Sequence, residues 1–481
     1  MLDNRNHCFD RSFRRPTNVP TTANGDGVIR AAATPPIRVS PARLWFALAI
    51  GIMGTVSGRG DDWPGWMGAQ REGVYRESGT VERIDGELPI KWRVPAGGGY
   101  AGPAVADGKV FVFDYVRKSG TPTNDPGGRV NLQGSERVRA LDAATGKEIW
   151  SHQYDCPYNI SYPAGPRCTP TIDGDRVYTL GSEGDLRCLN VADGKPLWTV
   201  NFKTDFTAEV PIWGFSSHPL VAGDLVYAMV GGPGQGLVAW DKMSGEVRFK
   251  TLDARAGYCP PSMIRRGDRS VLVAFHPEGV VGLEPANGAV LWSVPLKPQY
   301  DMSITRPMVN GNRMYVSGIR TEALMIELSS DGTSAKEVWY GDPKAAVHCA
   351  NSTPIFTDDA IYGTDCNIGN LVAVDPDDGS QLWTSFDATR PGETRRLGHG
   401  TAFLTRVAGT DRYWIMSETG ELIHATLTPE GYTELGRQKI LEPTGECFGR
   451  DVVWSHPAYA GRTVYARNDK EIVAVDIASN Q

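Results

Sequence analysis

Residues 140–150 read ALDAATGKEIW, and this string decides the fold because it recurs. Residues 188–198 read CLNVADGKPLW, and further copies are VAWDKMSGEVRF (238–249), GLEPANGAVLW (282–292) and VAVDPDDGSQLW (372–383). A longer version, IELSSDGTSAKEVWY, occupies 326–340. The closing aromatics are Trp150, Trp198, Phe249, Trp292, Trp339 and Trp383, at spacings of 43 to 51. Self-similarity at such a period marks a chain built from stacked supersecondary units.

A second marker keeps the same period. Short segments with proline ahead of an apolar pair appear as GPAV (102–105), TPTI (169–172), HPLV (218–221), PPSMI (260–264), RPMV (306–309), TPIF (353–356) and HPAY (456–459). GTAFL (400–404), with Ala402 in the proline slot, fills the one gap, so there are eight units. A Gly-containing turn and an alternating strand follow most of them, as in IDGDRVYTL and NGNRMYVSG. Glycine supplies the positive φ that tight hairpins require. Each unit then reads as four short antiparallel strands, the signature of a propeller blade. The expectation is an all-β, eight-bladed propeller of four-stranded blades. The final copy, VAVDIASNQ (473–481), ends before its Trp strand, and LPIKWRVP (88–95) can supply that strand with Trp92 in the closing position. Such closure removes free sheet edges. GGPGQG (231–236) sits between two strands and reads as a hairpin loop, and RKSGTPTNDPGGRVNLQGSE (117–136) reads as a polar Gly/Pro loop added to the first blade.

The repeated string is expected to act as a structural latch. Asp142 can accept hydrogen bonds from backbone N–H groups two or three residues on, and Gly146 can take the left-handed conformation that reverses the chain. Ala140 leaves room, and Trp150, like Trp92, Trp198, Trp292, Trp339 and Trp383, would wedge against the next blade. A buried indole removes on the order of 200 Å² from water. Asn190 and Glu284 stand at the Asp position, which suits a turn and not a copied catalytic base.

Charge divides the chain. Residues 1–60 carry +5, and since the whole chain carries −7 the remainder carries −12. An acidic body argues against nucleic acid as a partner. Within the basic head, arginines precede LWFALAIGIMG (44–54) and small residues follow, as in an export signal. The alternative is a retained membrane anchor through 44–54, facing the periplasm. No Cys lies between Cys8 and Cys156, so no lipidation site follows the apolar run. Three regions result: a basic head (1–60), a lead-in (61–87) and the propeller (88–481). The seven later cysteines (156, 168, 188, 259, 349, 366 and 447) match no zinc or haem spacing. Cys156 with Cys168 and Cys349 with Cys366 are the nearest candidates for pairing, and buried free thiols are the alternative.

The pattern A-x-D-x-x-T-G-x-x-x-W resembles the repeat of the pyrroloquinoline quinone (PQQ) β-propeller family, over nearly all of 88–481. DDWPGWMGAQREGVYRESG (61–79) and the stretch 210–247 are similar to an exported, planctomycete-type bacterial branch of it. In architecture the chain is similar to the propeller of the outer-membrane assembly lipoproteins. The resemblance implies two functions. One is a non-catalytic, exported module that binds or scaffolds another protein. The alternative is a PQQ-dependent alcohol dehydrogenase-like oxidoreductase with a degenerate site, holding PQQ beside calcium. The family's dehydrogenases stack adjacent cysteines on the quinone, and no two cysteines are adjacent here. No PQQ, calcium or other metal is therefore expected.

Residues ahead of the repeat prolines should line one mouth of the central channel: Tyr100, Arg167, His218, Tyr258, Arg306, Asn351, His399 and His456. Three His and two Arg in such a ring suit an anion or other small polar ligand, including a carbohydrate, or else merely a wet polar mouth. Phosphate-binding GxxxxGK[ST], GxSxG and HExxH patterns are absent from the sequence.

Overall fold

The computed structural model describes residues 61–479 except Thr321 and Pro343, and all of these fall within one unit, Gly58–Gln481. The basic head, the apolar run 44–54 and Cys8 lie outside the described residues. Eight antiparallel four-stranded sheets follow one another along the chain, each running from an inner strand that begins just after the repeat proline to an outer aromatic strand. The inner strands start at Ala104, Thr171, Leu220, Ser262, Met308, Ile355, Ala402 and Ala458. Counting back from Ala402 puts Thr401, not Ala402, in the proline slot of the seventh blade. The eighth blade is closed by Ile90–Pro95 pairing antiparallel with Glu471–Asp476, with Trp92 opposite Ala474. The first and last parts of the propeller are thereby held by one ladder of backbone hydrogen bonds.

The cores are shared between blades. Trp92 and Val473 of blade eight, Val112 of blade one, Trp414 of blade seven and Trp63 of the lead-in belong to one buried cluster. The Asp142 carboxylate accepts from the backbone N–H and the hydroxyl of Thr145 at 2.8 and 2.7 Å, the expected turn. The Trp indole does more than fill space. Its N–H donates to the carbonyl just past the Asp position of the next blade: Trp92 to Ala143, Trp150 to Val191, Trp198 to Lys242 and Trp339 to Pro376, at 2.9 to 3.0 Å. Trp292 reaches Gly332 at 3.2 Å and Trp383 reaches Thr428 at 2.8 Å.

The wedge also explains the glycine and the small residue. The turn glycine lies under the preceding blade's ring: a Cβ on Gly245 would meet Trp198 at 2.7 Å, and one on Gly146 would meet Trp92 at 2.8 Å. Across the sheet the aromatic faces Ala140, Cys188, Ala239, Gly282 and Ala373, with a register shift directly after each. The latch is not eightfold. Phe249 lacks a donor, so Thr251 bonds the Gly288 carbonyl at 2.8 Å instead. Blade seven exchanges large and small: at the equivalent pair, His424 faces Gly436, and His424 stacks on Trp414 at 4.3 Å. The lead-in covers the place left open, with the Ile84 N–H bonded to the Leu435 carbonyl.

Residues 117–136 are a loop only in their middle: 120–129 form the polar Gly/Pro tip, and 117–119 and 130–136 belong to strands. The two central strands of blade one run on as Lys109–Ser119 and Val130–Asp142, and Tyr158–Ile160 pairs with the second. Inside this extension the buried Glu136 carboxyl accepts from Tyr158 at 2.6 Å and from the Ser182 N–H at 2.8 Å, which holds blade one to blade two. All seven described cysteines are free and buried, so neither nearest-neighbour pair is bridged. Among the described residues no helix is long and apolar enough to cross a membrane.

Two glycines of the third blade separate the two costs of the latch. Gly223 and Gly245 have φ of +58° and +76°, but a Cβ on Gly223 meets nothing within 4 Å. Gly223→Ala is expected to cost about 1 kcal/mol from the left-handed backbone alone. Gly245→Ala should cost about 1–3 kcal/mol more, because Trp198 must also move. Denaturant unfolding of both variants checks the order.

Candidate functional site

The lead-in makes the channel a blind bowl. It enters with Trp63 bridged to Val105 of blade one and leaves with Val74–Tyr75 parallel to the inner strand of blade seven, at Arg406–Val407. Between those anchors Trp66 stacks on His218 at 4.9 Å and meets His456 edge-on at 5.7 Å. Arg71 is buried and donates to the carbonyls of Pro219 and Pro261 and to the Thr171 hydroxyl. Burial and the neighbouring Arg306 pull its pKa down to about 9. Above Trp66 lies a cavity of about 1020 Å³.

The eight residues expected at this mouth do not share one repeat position. Tyr100, Arg167, Tyr258 and Asn351 stand three residues before the inner-strand proline; His218, Arg306 and His456 stand one before it; His399 stands two before Thr401. Seven of them line the bowl. Arg306 lines a separate cavity of about 570 Å³ beside Arg71, and its guanidinium bonds the Ser262 hydroxyl at 3.1 Å. The position three before the slot yields a complete ring, Tyr100, Arg167, Ser216, Tyr258, Ile304, Asn351, Gly398 and Trp454, and all eight line the bowl. Ser216, Ile304, Gly398 and Trp454 were missed, and counting back a constant three residues finds them. Trp213, Tyr300, Arg396 and Phe448 reach the bowl from interblade loops and Arg320 from the loop between the second and third strands of blade five, and no repeat spacing marks these. The tip of the blade-one extension overhangs it through Pro126 and Gly127, and Asn124 bonds the Glu446 carbonyl at 2.7 Å.

The wall has a one-sided chemistry. Among the described residues that line it none is Asp or Glu, whereas Arg167, Arg320 and Arg396 are among them. Arg167 lies 5.1 Å from the centre of the Tyr100 ring and donates to the carbonyls of Ser161 and Tyr162 at 2.9 and 2.6 Å. The histidines contribute polarity and not charge. The Thr169 N–H donates to His218 Nδ1 at 2.9 Å, so the ring proton resides on Nε2. Burial, with Arg71 and His456 nearby, holds the His218 pKa well below its ordinary value. Burial takes His456 down to about 3, and burial with Arg450, Arg320 and Arg396 takes His399 to about 4.

This donor set does not fit PQQ beside calcium. Hydride removal from an alcohol needs a carboxylate base, and calcium needs hard oxygen ligands; the lining side chains offer no carboxylate for either task. Cys366 stands in the wall without a neighbouring cysteine there, its thiol pushed up to about 12 by burial. Among the described residues no group of three or more His, Cys, Asp or Glu is placed to hold a metal ion.

A family model described as outer membrane protein assembly factor BamB matches residues 134–385. BamB from Moraxella catarrhalis superposes with a TM-score of 0.54 at 15% identity, over 82% of this chain and 99% of that one. Quinohemoprotein alcohol dehydrogenase ADHIIG from Pseudomonas putida HK5 superposes with a TM-score of 0.55 at 13% identity, over 87% of this chain and 81% of that one. At these identities both likenesses concern the fold. No curated protein sequence matches the chain.

The depressed histidines predict an acid-side loss of stability. Each has a folded pKa below its unfolded value of about 6.5, so its contribution is complete above that pH and is lost as pH falls. For His456 the loss runs down to about 3. His456→Gln removes the titration, so the gap in thermal midpoint between the wild type and this variant should narrow steadily from pH 7 to pH 4. A constant gap would refute it.

Proposed function

Because the chain belongs to the outer membrane protein assembly factor BamB family, we propose that it is a non-catalytic, exported propeller that binds or scaffolds another protein. The observation that carries the non-catalytic reading is an axial bowl lined by no carboxylate among the described residues. An oxidoreductase on this fold would need such groups on the axis, where a substrate could meet them. The binding reading draws on the outer rim. Ile90, Ile149, Leu197, Val247, Val290, Val338 and Leu382 are exposed large aliphatics on the outer strands of seven blades. Outer strands are also the sheet edges, with backbone groups open to a partner's strand. The export reading rests on the order of basic, apolar and small residues in 1–60.

Two measurements test the proposal. Full-length protein incubated with PQQ and Ca²⁺ is expected to show no dye-linked oxidation of alcohols; turnover that depends on both would overturn the non-catalytic reading. Photocrosslinkers placed at Leu197 and Leu382 in cells of the native host are expected to capture a component of the outer-membrane assembly machinery. Absence of any adduct at either site, from a folded and exported protein, would sink the scaffold reading.

A further inference from the structure

Loops do not hold bulky residues in left-handed backbone without compensation, and such residues gather at functional sites. Thirteen described non-glycine residues have φ between +47° and +73°. Five of them, Tyr162, Tyr300, Arg320, His399 and Phe448, line the bowl. Of these only His399 is of a type that adopts this conformation readily; the other four are not. Each is an aromatic ring or a guanidinium, and they sit on loops of different blades that converge on one cavity. Tyr300 and Phe448 are 61% and 59% exposed, so burial of their rings does not repay the strain.

A second observation is independent of the backbone. Tyr100 Oη and Trp454 Nε1 are buried in the wall with no hydrogen-bond partner among the described residues. Buried polar atoms are ordinarily paired, and unpaired ones call for an explanation. They belong to the ring three residues before the proline slot, so both lie on rigid blade positions and not on loop tips.

The combination selects a chemistry. Guanidiniums with no lining carboxylate favour an anion, in a body that is otherwise acidic. Flat rings at the mouth offer apolar faces: Phe448 stacks with His399 at 5.5 Å, and Trp213 packs by Tyr258 at 5.6 Å. Neutral hydrogen-bonding groups are spread around the wall, among them Ser216, Asn351, Asn367 and the Nε2–H of His218. A ligand that uses all three is ring-shaped, rich in hydroxyls and negatively charged. A volume of about 1020 Å³ admits more than one such ring. We propose that the axial bowl is a binding site for an acidic oligosaccharide, with uronate carboxylates at the arginines and sugar faces on the rim aromatics. The site is independent of which protein the outer rim meets.

Trigalacturonate is the probe, titrated into the full-length protein by calorimetry, with neutral maltotriose and the flat aromatic anion trimesate as comparisons. Trigalacturonate is expected to bind with one site per chain and at least about tenfold more tightly than either comparison, as charge-assisted hydrogen bonds add to stacking. Arg320→Gln and Phe448→Ala change exposed side chains and should keep the wild-type thermal midpoint. Each should weaken trigalacturonate binding about tenfold. Equal or tighter binding of maltotriose or trimesate overturns the proposal, as does failure of trigalacturonate to bind the folded protein. Unchanged affinity in both variants, which would place the ligand elsewhere, overturns it as well. A protein that binds trigalacturonate yet fails to crosslink at its rim would retain this site while losing the scaffold reading.

Discussion

Everything in this molecule depends on the seam between one blade and the next. A four-stranded sheet cannot bury both faces by itself, so each blade is stable only against its neighbours. The seam is made by an indole that donates a hydrogen bond to a turn carbonyl of the next blade while its ring lies on that turn's glycine, as with Trp198, Lys242 and Gly245. One residue thereby supplies apolar contact and direction, and a net hydrogen bond of about 1 kcal/mol adds to the burial. Where the indole is lost, something else serves: Thr251 beside Phe249, or the lead-in residue Ile84 beside Gly436. Closure by Ile90–Pro95 joins the first and last parts of the circle, so every blade has a neighbour on both sides.

The same constraint creates the bowl. Inner strands of eight blades converge on an axis whose backbone spacing is set by the seams, and the space between them must be filled or left to solvent. This chain fills one end with its own lead-in, seating Trp66 against His218 and burying Arg71 among carbonyls. The other end remains a deep cup. Its neutral histidines follow from that geometry: burial and nearby arginines disfavour the charged form of His218 and His399. The positive character of the cup then comes from the guanidiniums of Arg167, Arg320 and Arg396.

Eight copies of one unit also explain why a shared fold carries so little functional information. A catalytic group occurs once, whereas a seam occurs at every junction, so the repeated letters describe assembly. The residues that give the bowl its character come from two sources. Ring positions such as Tyr100 and Trp454 are part of the repeat and can be counted out from the prolines. Tyr300, Arg320 and Phe448 sit on loops of unequal length, where the period is silent, and their convergence is a product of the closed circle.

The sequence by itself determined the blade count, the closure by the strand around Trp92 and the structural role of Asp142, Gly146 and Trp150. The turn and the strands follow from local rules, the alternation of side chains and the φ that a turn demands, each visible within a dozen residues. The blade count and the closure follow from counting the copies along the whole chain. Tertiary structure alone decided that Arg306 lines the cavity beside Arg71 while the other seven expected residues line the bowl. It decided that residues 117–119 and 130–136 extend a sheet and that the lead-in seals the axis. Those outcomes depend on which side chains meet across the closed ring, from residues more than a hundred positions apart. No local periodicity encodes a distance of that kind.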